Sequence, residues 1–112
     1  MVPSAAGAVV LIRFPFSDLS QTKLRPAVAL ADADRGDWVL CQITSRSYAD
    51  PRAVSIDNAD FARGTLRVQS FARPGKLFTA HESLITSEAG TLSDTAFGRV
   101  QAAVVALLSG SV

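Results

Sequence analysis

The sequence predicts a mostly β domain, a small barrel of five to seven short strands followed by one C-terminal α-helix. Its length allows a single core, so residues 1–112 are expected to form one domain. Short apolar runs rich in β-branched residues alternate with glycine, proline and polar turns through most of the chain, as is typical of strands. Helical spacing of apolar residues occurs only near the end. Because no helix separates the strands, a barrel is favoured over a parallel α/β sheet.

Three apolar runs predict the strands of the first half. Each is bounded by glycine, proline or a polar turn, and together they cover residues 8–14, 27–32 and 38–44. The segment 15–24 is polar and longer than a hairpin needs, so we expect an exposed loop that is mobile without a partner. The alternative is a loop fixed against the barrel by Phe16 and Leu19.

The second half predicts shorter strands and the helix. The strands cover residues 53–56, 65–71 and 76–80, and Pro74-Gly75 predicts a turn. Residues 92–108 place apolar side chains at helical spacing over alanine-rich filler. Thr91 and Asp94, three residues apart, predict the N-terminal capping box of this helix.

Composition excludes several classes of site. Cys41 is the single cysteine and lies in an apolar run, which predicts a buried small side chain and no internal disulfide. One cysteine and one histidine, His81, cannot complete a structural zinc site, and one histidine excludes a two-histidine ribonuclease mechanism. No glycine-rich phosphate loop or GxSxG motif is present. The acids in the turn 32–37 (Asp32, Asp34 and Asp37) are expected to be ordinary turn residues.

The N-terminal segment predicts neither export nor membrane insertion. It has no basic region ahead of its apolar run, and Arg13 ends that run early. We therefore expect a cytoplasmic protein. Hydrophobic residues make up 48% of the chain, which is generous for so short a barrel and favours a homodimer.

Basic side chains concentrate at two strand ends and in one later stretch. Residues 23–26 (KLRP) join the predicted loop to the second strand, and proline fixes the backbone beside Arg25. Residues 44–46 (TSR) end the third strand with hydroxyls and a guanidinium. Between residues 61 and 81 the bases have no acid among them: Arg63, Arg67, Arg73 and Lys76. From charge alone, these positions fit either phosphate contacts or a solvated face.

Several strings resemble one family. GAVVLIRFPFSDLSQTKLRPAVALA is similar to the opening of MazF/PemK toxins, with a glycine-led strand, an FPF-type exit, a polar loop and an RP dipeptide. VLCQITSR resembles the family's third strand, and LRVQSFARPGKLFTAHESLI resembles a later one. The likeness extends from Gly7 to Leu108.

This resemblance implies a type II toxin with an SH3-like barrel fold, active as a homodimer that cleaves single-stranded RNA without metal or cofactor. It implies attack by the ribose 2′-hydroxyl, with Arg25 and Thr44 as catalytic residues. It also implies an antitoxin protein that covers the RNA groove. The other residues predicted to contact RNA are Lys23, Ser45, Arg46, Arg73, Lys76 and Phe78.

Two of these assignments have alternatives, and so does the function. Phe78 stands where many relatives have arginine, and it fits either a base-stacking platform or the core. Arg73 fits either a phosphate contact or a solvated face. The same fold also fits a gyrase-directed toxin or a protein-interaction module without ribonuclease activity, because SH3-like barrels support unrelated functions.

Overall fold

The computed structural model describes residues 1–14 and 23–110. Within them one α-helix follows seven strands that form a single antiparallel sheet, curled into a half-barrel in the order β4-β6-β3-β2-β1-β7-β5. The predicted mostly β fold is therefore confirmed. The strands are β1 (Ala8–Phe14), β2 (Lys23–Asp32), β3 (Asp37–Thr44), β4 (Val54–Ile56), β5 (Phe61–Gly64), β6 (Ser70–His81) and β7 (Ile85–Leu92), and the helix is α1 (Asp94–Leu108).

The central strands bury side chains on both faces of the sheet. Alternate residues of β1 belong to different clusters, because successive side chains of a strand point to opposite faces. Val10 and Ile12 pack with Trp38 and Leu40, whereas Val9 packs with the other cluster. That second cluster includes Ala96 and Val100 of α1, and the helix lies against β4, β6 and β7. The helix thus covers one face of the sheet.

The predicted turn at Pro74-Gly75 is wrong, because β6 runs through it. Pairing with β3 jumps from Cys41–Leu77 to Ile43–Ala72, so residues 73–76 bulge opposite the single residue between them. Pro74 is buried in this bulge, a place in a sheet where a missing N–H is tolerated.

The predicted strand 65–71 is also wrong over most of its length. Only Ser70 and Phe71 are in a strand, and residues 61–64 form β5 instead. Strand β7 was not predicted, because ITSEAGTL is more polar and less regularly alternating than a half-buried strand usually is.

The helix is capped by Ser93 rather than by Thr91. The Ser93 Oγ accepts the backbone N–H of Ala96 at 3.2 Å, which satisfies one of the free donors of the first turn. Thr91 belongs to β7, where it pairs with Ala8 and its hydroxyl accepts from Arg63. The predicted helix 92–108 is otherwise correct from residue 94 onward.

Cys41 is buried as predicted, and we expect this buried thiol to make the protein less stable at alkaline pH. Its thiol contacts the carbonyl oxygen of Arg73 at 3.2 Å, and burial raises the pKa of Cys41 to about 12. The unfolded thiol titrates near pH 8.5. Above that pH the unfolded chain loses this proton first, so the free energy of unfolding should fall by about 1.4 kcal/mol per pH unit up to about 12.

Urea unfolding between pH 8 and pH 11 measures this loss, with Cys41→Ala as the matched variant. We expect a steeper fall for the wild type than for Cys41→Ala. If the free energy of unfolding fell equally steeply with pH in both proteins, the raised pKa of Cys41 would be contradicted.

Candidate functional site

A cleft opens where strands β2 and β3 separate. Their pairing ends at Ala27–Gln42, although the same register would place Arg25 opposite Thr44. Beyond this point β2 stays paired with β1, and β3 stays paired with β6. Pro26 has no N–H to donate and lies where β2 has only one neighbour, which suits the separation. The resulting cleft has a volume of about 420 Å³.

The structure brings five of the predicted site residues together in this cleft. Its lining includes Lys23, Arg25, Thr44, Ser45 and Arg46. Arg25 is half-buried, whereas the lysine and Arg46 are exposed. No acidic residue lines the cleft among the residues that the structure describes, so the three bases make it a positively charged site.

Arg25 is not neutralised by any carboxylate in residues 1–14 or 23–110. The ion pairs in this part of the chain engage Arg63, Arg73 and Arg99 instead. A half-buried guanidinium that faces a cleft without such a partner can form a paired hydrogen bond with an incoming phosphate.

Thr44 lies at the base of the cleft with its hydroxyl held in place. The residue is only 8% exposed, and its Oγ1 accepts the backbone N–H of Arg46 at 3.3 Å. This contact uses a lone pair and not the hydroxyl hydrogen, so the hydrogen can be donated to an oxygen in the cleft. Neighbouring Ser70 donates its own hydroxyl hydrogen to the carbonyl oxygen of Val68 at 3.1 Å.

Three predicted RNA contacts lie outside the cleft lining. Phe78 packs partly buried against the core cluster of Trp38 and Leu40, and Lys76 is exposed in the β6 bulge. Arg73 forms an ion pair with Asp50, with 3.2 Å between Nε and Oδ2. Their roles toward RNA stay predictions.

The basic stretch 61–81 is partly neutralised across the sheet. Arg63 lies 3.3 Å from the carboxylate of Glu88, which the linear sequence does not place near it.

His81 lies at the far end of β6, where its Nδ1 accepts the backbone N–H of Ser83. Asp32 accepts the backbone N–H of Asp34 at 2.8 Å, as expected of a turn residue. No group of three metal-binding side chains occurs within the described ranges.

Comparison with known families decides the class. The family model described as PemK-like, MazF-like toxin of type II toxin–antitoxin system matches residues 5–108. The chain belongs to this toxin family. No curated protein sequence matches the chain significantly.

Solved structures agree with this PemK/MazF fold. A MazE-MazF crystal structure from Deinococcus radiodurans is 21% identical, covers 99% of each chain and gives a TM-score of 0.77. A mycobacterial endoribonuclease in complex with its cognate antitoxin is 13% identical. The match covers 100% of this chain and 98% of the endoribonuclease chain, with a TM-score of 0.70. The Mycobacterium tuberculosis toxin MazF-mt6 is 13% identical, covers 91% and 96%, and gives 0.72. At these identities the likeness shows the fold of the toxin.

The toxin's cleft also contains residues that the sequence analysis missed. These are Leu11, Tyr48, Leu66, Val68 and Ser70. Tyr48 is the one with a signal in the sequence, since a lone aromatic in the polar segment SYADPR has little reason to be in a core. No helix of the described chain is both long and apolar enough to cross a membrane.

Proposed function

We propose that this toxin is a metal-independent endoribonuclease that cleaves single-stranded RNA in the cleft between β2 and β3. The observation that carries the proposal is the separation of these strands, which places Arg25 and Thr44 in one cationic cleft. The family match supports the same assignment, and two of the similar structures are of mycobacterial endoribonucleases. We expect the protein to act in the cytoplasm, where messenger RNA is found.

The proposed reaction is internal transfer of the phosphoryl group. The ribose 2′-hydroxyl gives up its proton as its oxygen attacks the adjacent phosphorus. The bond from phosphorus to the 5′-oxygen of the next nucleotide breaks, and that leaving oxygen takes up a proton. The products are a 2′,3′-cyclic phosphate and a 5′-hydroxyl. Negative charge grows on the non-bridging oxygens in the transition state, so groups aimed at those oxygens accelerate the reaction.

Arg25 and Thr44 suit this task. The guanidinium supplies a permanent positive charge and two parallel N–H donors for the phosphate. The hydroxyl of Thr44 is oriented by its contact with the Arg46 backbone and donates to another oxygen. Lys23, Ser45 and Arg46 then bind the flanking phosphates. The basic side chains of the cleft thus supply the positive charge that a metal ion provides in other nucleases.

The test is incubation of the purified protein with mixed-sequence single-stranded RNA in the presence of EDTA. We expect cleavage, products with 5′-hydroxyl ends, and little cleavage of the same sequence in a duplex. A folded protein that binds but never cuts RNA, or does neither, would instead favour a toxin or binding module without ribonuclease activity.

We also propose that an antitoxin covers this cleft. Two of the similar structures are toxins in complex with their antitoxins. The cationic lining would attract acidic side chains, and exposed Leu24 and Val68 would receive apolar ones. The predicted mobile loop would respond to such a partner. Its residues 15–22 lie outside the described part of the chain, and Lys23 and Leu24 belong to β2.

The homodimer remains a proposal with a direct measurement. The apolar composition favours it, and Val105 and Leu108 of α1 are 63% and 72% exposed in the single chain. Light scattering at micromolar concentration should give about 24 kDa, twice the 11.8 kDa of one chain. A mass near that of one chain would contradict it.

A further inference from the structure

The segment that follows β3 holds an exposed aromatic ring at the cleft. Tyr48 lines the same cleft as Thr44 and Arg46, and it is 58% exposed. Its backbone and that of Ala49 are both left-handed, each with φ of +54°. Non-glycine residues adopt this conformation at an energetic cost, and such strain concentrates at functional sites. The chain therefore pays a conformational cost here and leaves a large apolar side chain in solvent.

Tyr48 is supported from behind by a cation. The guanidinium carbon of Arg73 lies 5.0 Å from the centroid of its ring, within the range of a cation–π contact. Arg73 is itself fixed, because its Nε lies 3.2 Å from the Oδ2 of Asp50. Arg73 lies in the β6 bulge and Asp50 in the β3–β4 connection, so two elements are joined at this point.

The carboxylate that anchors this arrangement stays ionised at neutral pH. Its Oδ1 accepts the backbone N–H of Arg52 at 2.9 Å. This hydrogen bond, together with the contact from Arg73, holds the pKa of Asp50 below its usual value. The ion pair is therefore present at neutral pH and is lost only as the pH falls through the lowered pKa of Asp50.

We propose that Tyr48 is the stacking platform for a nucleobase beside the scissile phosphate, and that Arg73 and Asp50 position it. This inference rests on the proposed ribonuclease function and names the substrate contact. It assigns the stacking role to Tyr48 rather than to Phe78, and it makes Arg73 a positioning residue rather than a phosphate contact.

A nucleobase is the occupant that the surroundings favour. One region of the ring is covered by the guanidinium, and most of the residue remains open to solvent. Next to it lies a groove whose charged lining is entirely basic in the described chain. Proteins bind single-stranded nucleic acid with this arrangement: basic side chains contact the phosphates, and nucleobases stack on the aromatic rings.

The test uses the full-length protein and an oligodeoxynucleotide with 2-aminopurine scanned along it, which binds but lacks the attacking 2′-hydroxyl. With wild type, we expect fluorescence quenching at one position of the probe. Tyr48→Ala should abolish that quenching and weaken binding by about 5- to 150-fold, the range for loss of one stacked base. In RNA cleavage it should raise KM more than it lowers kcat. Tyr48→Phe keeps the ring and should behave as wild type.

Two further variants separate stacking from folding. Tyr48→Gly suits the left-handed backbone, so it should fold even if Tyr48→Ala does not, and it should lose the same affinity. Arg73→Ala should weaken the quenching at that position, and Arg73→Lys should restore part of it. Leu84 is an exposed apolar residue outside the cleft, so Leu84→Ala is the matched control. It should change neither the quenching nor the affinity for the probe.

The outcomes distinguish this inference from the function on which it rests. Unchanged probe binding and KM in Tyr48→Ala and Tyr48→Gly, with Arg25→Ala inactive, would overturn the platform and leave the ribonuclease intact. If the Tyr48 variants lost antitoxin binding but still bound the probe, the platform would also be overturned, because Tyr48 would then contact a peptide. A wild-type protein that neither binds the probe nor cuts RNA would overturn both.

Discussion

Replacement of Arg25 by alanine is expected to lower the rate of RNA cleavage by about 10²–10³-fold, the usual effect of removing one transition-state donor. The side chain is half-buried near the start of β2 and outside both core clusters, so the fold should survive. Arg25→Lys should also lose most activity, because an ammonium keeps the charge but not the paired donors. Single-turnover cleavage at saturating protein measures the chemical step, and circular dichroism checks the fold.

Thr44→Ala is expected to have an effect of similar size, and Thr44→Ser should retain much of the activity because it keeps the hydroxyl. Arg63→Ala is the matched control: it also removes an arginine, but one that pairs with Glu88 away from the cleft. Its rate should stay within about twofold of wild type, in line with the small effects of exposed ion pairs. Wild-type cleavage by Arg25→Ala would show that the reaction occurs elsewhere.

Gly90→Ala is expected to destabilise the protein by about 1–3 kcal/mol, the usual cost of an overpacked site. Gly90 pairs with Gly64 where β7 meets β5. A Cβ at Gly90 would overlap the carbonyl oxygen of Arg63 and lie 2.9 Å from the Cα of Gly64. These are backbone atoms, which cannot rotate away as a flexible side chain would. Strand β5 would have to shift from its only neighbour in the described sheet.

Gly98→Ala is the control for this substitution. A Cβ there meets no atom within 4 Å outside its own stretch of helix backbone, and Gly98 is exposed on α1. The change should raise stability by about 1 kcal/mol, because alanine favours helix over glycine by that amount. Urea unfolding of both variants measures the contrast. Equal stability of Gly90→Ala and wild type would contradict the close β5–β7 approach.

The sequence was sufficient to predict that the strands around the cleft exist, and to give the bounds of β1 and β3. Residues 8–14 and 38–44 are short apolar runs with clear ends, and their predicted bounds match β1 and β3 to within a residue. Strand β2 begins three residues earlier than Pro26, because pairing with β1 continues to Lys23. This extension places Arg25 on a strand, in the same cleft as Thr44, rather than on a loop beside the strand.

Other features depend on contacts between distant residues. Pro74-Gly75 is a turn signal locally, yet β3 pairs with β6 on both sides of the bulge and keeps it one strand. Strand β7 has a weak pattern and is held by β1 and β5. The environment of Tyr48 depends on Arg73, which is 25 residues away in the chain and reaches it only across the fold. Local patterns carry no information about such approaches.

The most direct test of the proposed active site is cleavage of one RNA oligonucleotide and its twin with a single 2′-deoxy substitution at the mapped cut position, both in EDTA. We predict that wild type cuts the RNA to a 2′,3′-cyclic phosphate and a 5′-hydroxyl, leaves the twin intact at that position, and that Arg25→Ala cuts neither appreciably. Cleavage of the twin at the same position, or products with 5′-phosphate ends, would contradict attack by the 2′-hydroxyl in this cleft.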